Sequence, residues 1–274
     1  MSQFDQDLTG KVAFVTGAGR LRGIGHAAAI ALARRGADVA VTGTGRDPAT
    51  FPDDEKAVGW RDVQSTADHV REHGRRALPL VFDVTDAAAV DAAVARCVAQ
   101  LGRVDILVNN AAVARGADRV PVTELDADVY QRVVDVKLRG TFLCARAAVR
   151  QMYAQDEGGK IVNISSIMGK RGAPNTLAYN AANFGVIGMT QSMAREFGPR
   201  GINVNCICPG AVATSRMDDI PLDRRPKRTR PGDPVTRWGT DEEVGEFVAF
   251  LCTEAASWIH GQSINHCGGS FMEH

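Results

Sequence analysis

The sequence has no excess charge of either sign. Over 274 residues, 32 Lys and Arg balance 32 Asp and Glu. A neutral chain offers no electrostatic ground for general binding to nucleic acid or to a membrane surface. No apolar run approaches the ~18 residues of a membrane span. No Cys-x-x-Cys pair is present. The six cysteines, Cys97, Cys144, Cys206, Cys208, Cys252 and Cys267, are scattered and read as reduced thiols of a cytoplasmic protein. Cys206 and Cys208 share one strand face, but no further ligands accompany them at zinc spacing. A His-Glu-x-x-His motif and a carboxylate cluster are also missing, so no metal is expected. No histidine falls in a recognisable motif, which argues against a Ser-His-Asp hydrolase. His26 is read as packed or solvated, and His260 and His266 as structural. The polar, acidic start MSQFDQD is unlike a secretory signal. No composition break and no repeat marks a second domain, so residues 1–274 are read as one.

What is present is alternation. Short apolar runs at 11–16 (KVAFVT), 38–42, 77–82, 104–108 (VDILV), 160–164, 202–207 and 262–265 read as strands. Amphipathic stretches at 23–35, 60–73, 86–101, 177–197 and 242–251, with one long helix within 126–154, read as helices. Continuous apolar strands separated by helices mean a parallel sheet covered on both faces. The expected fold is therefore α/β, a doubly wound, Rossmann-type single domain with about seven strands. Two segments interrupt the pattern. Residues 43–59 (GTGRDPATFPDDEKAVG) read as a surface excursion, and 215–236 as a substrate loop or solvated surface. Within the latter, 224–230 (RRPKRTR) would suit an anionic carrier such as acyl carrier protein or coenzyme A, although Asp218, Asp219, Asp223 and Asp233 offset part of its charge.

The first strand runs into TGAGRLRGIG at 16–25, and a helix follows. Gly17, Gly19, Gly23 and Gly25 allow a tight turn whose amides approach a pyrophosphate at a helix N-terminus. NAD-preferring folds usually end the second strand with an acidic side chain for the ribose 2′-hydroxyl. Here that strand ends in TGTGR at 42–46, without a carboxylate. Arg20, Arg22 and Arg46 could all meet a 2′-phosphate, which favours NADP, with NAD the alternative.

From these residues onward the chain resembles the short-chain dehydrogenase/reductase family, over roughly residues 8–269. Thr16-Gly17 with Gly23-Ile24-Gly25 resembles the cofactor turn, two residues longer than the commonest form. Asp83-Val84 resembles the pair that contacts adenine. Asn109-Asn110-Ala111-Ala112 resembles the Asn-Asn-Ala-Gly segment. Pro209-Gly210, continuing through Val212 to Thr214, resembles the segment flanking the nicotinamide. His260-Gly261-Gln262 and Gly268-Gly269 resemble the C-terminal signature. The resemblance implies an NAD(P)-dependent oxidoreductase acting on a ketone/secondary alcohol pair, with no nucleic acid or membrane partner. It also implies a homotetramer, or a dimer, built on the 126–154 and 177–197 helices.

The family's catalytic set is Asn, Ser, Tyr and Lys. Ser166 stands thirteen residues before Tyr179, the family's spacing. The lysine expected four residues after the tyrosine is Asn183, and the asparagine expected in the long helix is Lys137. Family tyrosines move the proton, serines orient the substrate oxygen, and lysines bind ribose and lower the tyrosine pKa. Lowering a tyrosine from ~10 to ~7 takes roughly 4 kcal/mol. A cation ~5 Å away supplies about 3 kcal/mol at an effective dielectric of ~20. An amide dipole cannot replace it, so Lys137 is expected to serve Tyr179 in an exchanged tetrad, with Asn183 in a supporting polar role. The alternatives are an impaired or pH-shifted enzyme, a nucleotide-binding protein of this fold without redox activity, and a 3-oxoacyl-acyl-carrier-protein reductase-like enzyme. Ile167, Met168, Leu177 and Met217 make the expected pocket lean apolar.

Overall fold

A computed structural model describes residues 7–218, 220 and 233–273. The basic segment 224–230, Asp219, Asp223 and most of the 215–236 loop lie outside the described residues. Seven strands form one sheet in the order β3-β2-β1-β4-β5-β6-β7, with every neighbouring pair parallel. They are β1 (Val12–Val15), β2 (Asp38–Gly43), β3 (Ala77–Val81), β4 (Ile106–Asn109), β5 (Gly159–Ile164), β6 (Ile202–Pro209) and β7 (Ser263–His266). The chain starts in the middle, winds out to β3, returns to β4 beside β1, and winds out the other way. The switch between β1 and β4 leaves a crevice at the carboxyl ends of the strands, where such sheets bind ligands.

The helices are α1 (Ile24–Arg34), α2 (Asp53–Ala57), α3 (Val63–Glu72), α4 (Ala87–Leu101), α5 (Ala127–Val134), α6 (Gly140–Gln155), α7 (Leu177–Phe197) and α8 (Asp241–Leu251). One core joins α1, α3 and α8 to one face of the sheet through Leu32, Val63, Val70, Val244 and Val248. A second joins α4 and α6 to the other face through Val90, Val94, Leu143, Val149 and Met152. Alanines on α1 let α8 come close: a Cβ on Gly245 would stand 2.6 Å from the Ala27 carbonyl carbon. Caps fix where helices begin. Asp86 and Asp126 accept first-turn amides of α4 and α5, and Thr240 forms a capping box with Glu243 on α8.

Two local expectations are corrected. The long helix is interrupted, because α5 passes through a π-helical turn, Asp135–Arg139, before α6. Such turns are concentrated at functional sites, and this one carries Lys137. The 43–59 segment is not merely a surface excursion. Phe51 is 3% and Glu55 0% exposed, and Trp60 just beyond is 5% exposed. The expected helix at 60–73 therefore starts only at Val63, because the residues before it pack onto the turn after β1.

Candidate active site

The turn after β1 is fixed from β4. Asn110 Nδ2 donates to the carbonyls of Thr16 and Gly17 at 3.0 and 2.9 Å. Thr16 Oγ1 accepts from the amides of Asn110 and Ala111 at 3.0 and 3.1 Å. Gly17 has φ +68°, and a Cβ there would stand 2.8 Å from Ala111 Cα. A Cβ on Gly25 would stand 2.5 Å from the Gly17 carbonyl oxygen. Gly23, the N-cap of α1, gives the helix no side-chain cap. A turn kept free of side chains and leading into helix amides fits a dinucleotide pyrophosphate. Of the adenine pair, Asp83 accepts from Thr85 and pairs with Arg132 at 2.9 Å. Val84 is buried against Gly140.

Two of the three arginines offered for a 2′-phosphate, Arg46 and Arg22, are already engaged. Arg46 pairs with Glu55 at 2.9 Å and Asp62 at 3.2 Å, donates to the Gly19 carbonyl at 2.6 Å, and lies over the Phe51 ring. Arg22 pairs with Asp54 and Asp218. Arg20 is half-buried in the same cluster, its pKa lowered by burial and then by Arg46. Trp60 Nε1 also donates to the Gly19 carbonyl, at 2.7 Å, and Glu55 accepts from the Leu21 amide at 3.0 Å. Asp62 lies between the turn and the tip of β2. A Cβ on Gly19 would meet Asp62 Oδ1, and one on Gly43 would stand 3.5 Å from Oδ2. A carboxylate from the N-cap of α3 thus stands near the end of β2. Phe51 and Trp60, two large apolar residues bracketing a polar segment, were the sequence signal that this segment folds back.

A cavity of about 430 Å³ opens at the carboxyl ends of β4, β5 and β6. Ser166, Tyr179 and Lys137 all line it, beside Ile24, Asn110, Pro209, Gly210, Val212 and Thr214. Ser166 follows β5 in extended conformation, and its hydroxyl oxygen accepts from the Met168 amide at 3.1 Å. Lys137 is 4% exposed, and its Nζ reaches the Ala111 carbonyl at 3.5 Å. Burial lowers its pKa to about 8, with the charge of Arg216 adding to the effect. Asn183 is fully buried and does not line this wall. Its Nδ2 donates to the Tyr179 carbonyl at 2.8 Å, and its own carbonyl accepts from Ser165 Oγ at 3.0 Å. The pocket leans apolar as expected, through Ile167, Met168 and Met217, although Leu177 does not line it and a set of cations was not expected. Arg115, Arg119, Arg171 and Arg216 also line the cavity. The guanidinium carbons of Arg119 and Arg216 lie 4.3 and 5.2 Å from the centre of the Tyr179 ring. No motif marked these arginines, since they come from separate connections that meet only in the fold.

The described histidines stand apart from this cavity. His26 lies 3.1 Å from His69 and edge-on to Trp60, its pKa lowered by burial to about 4. His260 bonds the Ala194 carbonyl and the Val204 amide, and His266 stacks on Phe247. A larger cleft of about 610 Å³, lined by Lys11, Asp105, Trp258 and His260, lies at the other end of the sheet, away from the crevice. Among the described residues no group of His, Cys, Asp and Glu could hold a metal ion, and no helix is long and apolar enough to cross a membrane.

Comparison with known proteins agrees with this architecture. A sequence family described as enoyl-(acyl carrier protein) reductase matches residues 17–270. The cis-4-hydroxycyclohexanecarboxylate dehydrogenase of Sinomonas cyclohexanicum is 38% identical over 259 residues, covering 94% of this chain and 96% of that one. A 3-oxoacyl-acyl-carrier-protein reductase of Staphylococcus aureus is 36% identical over 262 residues, covering 96% and 98%. The solved structure of carveol dehydrogenase from Mycobacterium avium in complex with NAD superposes with a TM-score of 0.81 at 30% identity, covering 96% and 98%. With the glycine turn, the parallel sheet and the cavity beside Tyr179, these matches show that the chain belongs to the short-chain dehydrogenase/reductase family and is an NAD(P)-dependent oxidoreductase.

Proposed function

We propose that the protein interconverts a ketone and a secondary alcohol, using Tyr179 as the proton donor and acceptor, Ser166 as the orienting hydroxyl and Lys137 as the cation that activates Tyr179. The nicotinamide cofactor, when bound, supplies or takes the hydride. Its pyrophosphate would lie on the Gly17–Gly25 turn, and its nicotinamide end beside Pro209, Gly210, Val212 and Thr214. In reduction, Tyr179 gives its hydroxyl proton to the carbonyl oxygen, and in oxidation it takes that proton back. The Ser166 oxygen already accepts from the Met168 amide, which leaves its own proton for the substrate oxygen. The observation that carries the exchanged tetrad is the placement of Lys137. It is buried on the cavity wall shared with Tyr179 and Ser166, while Asn183 is turned to its own helix.

Asn183 then supports rather than activates, by bonding the Tyr179 carbonyl one turn back. Asn183→Ala should leave kcat/KM within about tenfold of wild type, the worth of one neutral hydrogen bond. Tyr179→Phe should abolish turnover while nucleotide still binds. Turnover retained in Tyr179→Phe, in steady-state assays with a ketone panel, would overturn this assignment. A 3-oxoacyl-acyl-carrier-protein reductase-like activity is the second reading, supported by the relatives of that name.

For the cofactor, the carboxylate of Asp62 favours NAD over NADP. It stands between the turn and the end of β2, paired with Arg46, where it could accept a ribose 2′-hydroxyl. NADH should bind tighter than NADPH in a fluorescence titration, since Arg46 would have to leave Glu55 and Asp62 to meet a 2′-phosphate. Tighter binding of NADPH would refute the role of Asp62. The exposed Phe142 on α6 and Leu177 and Phe184 on α7 support a homotetramer through those helices. A cytoplasmic location rests on the scattered cysteines, all six unpaired.

A further inference from the structure

We infer that the substrate carries an anionic group, a carboxylate or its equivalent, received by the cationic wall of the cavity that holds Tyr179. This inference rests on the oxidoreductase reading above and names its substrate class. Lys137, Arg119, Arg171, Arg216 and Arg115 line one cavity of about 430 Å³. Asp118 pairs with Arg119 at 2.5 Å, and Asp233 stands at the wall. Among the described residues, no ion pair is made by Lys137, Arg171 or Arg216. The Arg216 guanidinium donates to the Val113 carbonyl, and that of Arg171 lies 5.5 Å from the Phe271 ring centre.

Cations gathered in a partly desolvated cavity repel one another, and the pKa of Lys137 falls partly because of Arg216. A bound anion relieves that repulsion. Arg119 and Arg216 lie against the Tyr179 ring, so an anion on them would sit a short chain or ring away from an oxygen at the Tyr179 hydroxyl. A keto acid or hydroxy acid has that shape. The cavity walls also include Ile167, Met168, Val212 and Met217, which suit the carbon skeleton between the two polar ends.

The same positive charge could instead serve the cofactor's phosphates, and the test separates the two. The protein with NADH is titrated at pH 7 by calorimetry with 3-, 4- and 5-oxocarboxylates and with their methyl esters, and turnover of each is measured. The acids should bind and turn over at least about tenfold better than their esters, the worth of one charge-assisted hydrogen bond. Arg216→Gln and Arg171→Gln should each raise the KM of the acids while leaving the KM of any ester and the Kd of NADH within twofold. Equal or better binding of the esters, or no binding of any acid, would overturn the inference. So would an Arg216→Gln protein that loses NADH affinity but keeps its acid-to-ester ratio, since the charge would then belong to the cofactor. Acids that bind without turnover would uphold the anion site and remove the proposed ketone chemistry at Tyr179 instead.

Discussion

Lys137→Met is expected to lower kcat/KM for carbonyl reduction by about 100-fold at pH 7, with little loss of stability. A charge ~5 Å from the reacting oxygen is worth about 3 kcal/mol at an effective dielectric of ~20, or roughly two powers of ten in rate. Lys137 is buried beside Arg216 with only a long hydrogen bond to Ala111, so methionine in its place removes a desolvated cation. The melting temperature should therefore hold or rise. Arg119 and Arg216 also lie over the Tyr179 ring. Should they suffice as the activating charge, the loss would be under threefold, and Lys137 would have no part in the proton transfer. The pH profile gives a second readout. Lys137 is charged below its lowered pKa of about 8 and neutral above it. Reduction by the wild-type protein should accordingly fall as pH rises through about 8. In Lys137→Met that limb should no longer lie near pH 8. Cys206, its pKa raised by burial, stays neutral in this range and does not supply the transition.

The second large effect concerns stability. Arg46→Met is expected to destabilise the protein by about 3 kcal/mol, lowering the melting temperature by roughly 6–12 °C. Arg46 holds Glu55, which is fully buried, and Asp62, and it joins both to the Gly19 carbonyl. Without it, Glu55 keeps the Leu21 amide as partner but loses its counter-charge in a site closed to water. An uncompensated buried charge is far costlier than a missing surface pair. Calorimetric melting of Arg46→Met, Glu55→Gln and the double variant forms a cycle. The double variant should recover much of the loss, because neutral groups then face each other. A shift below 2 °C in Arg46→Met would mean that the cluster is solvated in solution. Because the same residues bear on the turn after β1, the destabilised variant should also bind NADH more weakly.

The fold was legible because it is written in local periodicity. Buried strands such as VAFV are apolar throughout, ILVN is apolar up to its final asparagine, and amphipathic helices lie between the strands, so strand number and parallel direction follow from the pattern. Ser166 and Tyr179 were legible for a related reason. Each lies at a fixed offset from a strand or helix whose position the sequence sets, and their spacing along the chain fixes their meeting at one cavity.

What lies beyond that came from contacts between segments far apart in the chain. Asp62 reaches Gly19, Trp60 and Arg46 close the 43–59 segment onto the same turn, and Arg119 and Arg216 converge on Tyr179 across sixty residues or more of sequence on one side and some thirty-seven on the other. No periodicity encodes such meetings, because a loop arginine or aspartate has the same local pattern whether it faces water or a partner. Local sequence thus determined the scaffold and the two residues tied to its strands and helices. The sheet's switch point and the folded-back segment decided the charges around them, because electrostatic partners are set by distance in space, and only tertiary packing fixes that distance.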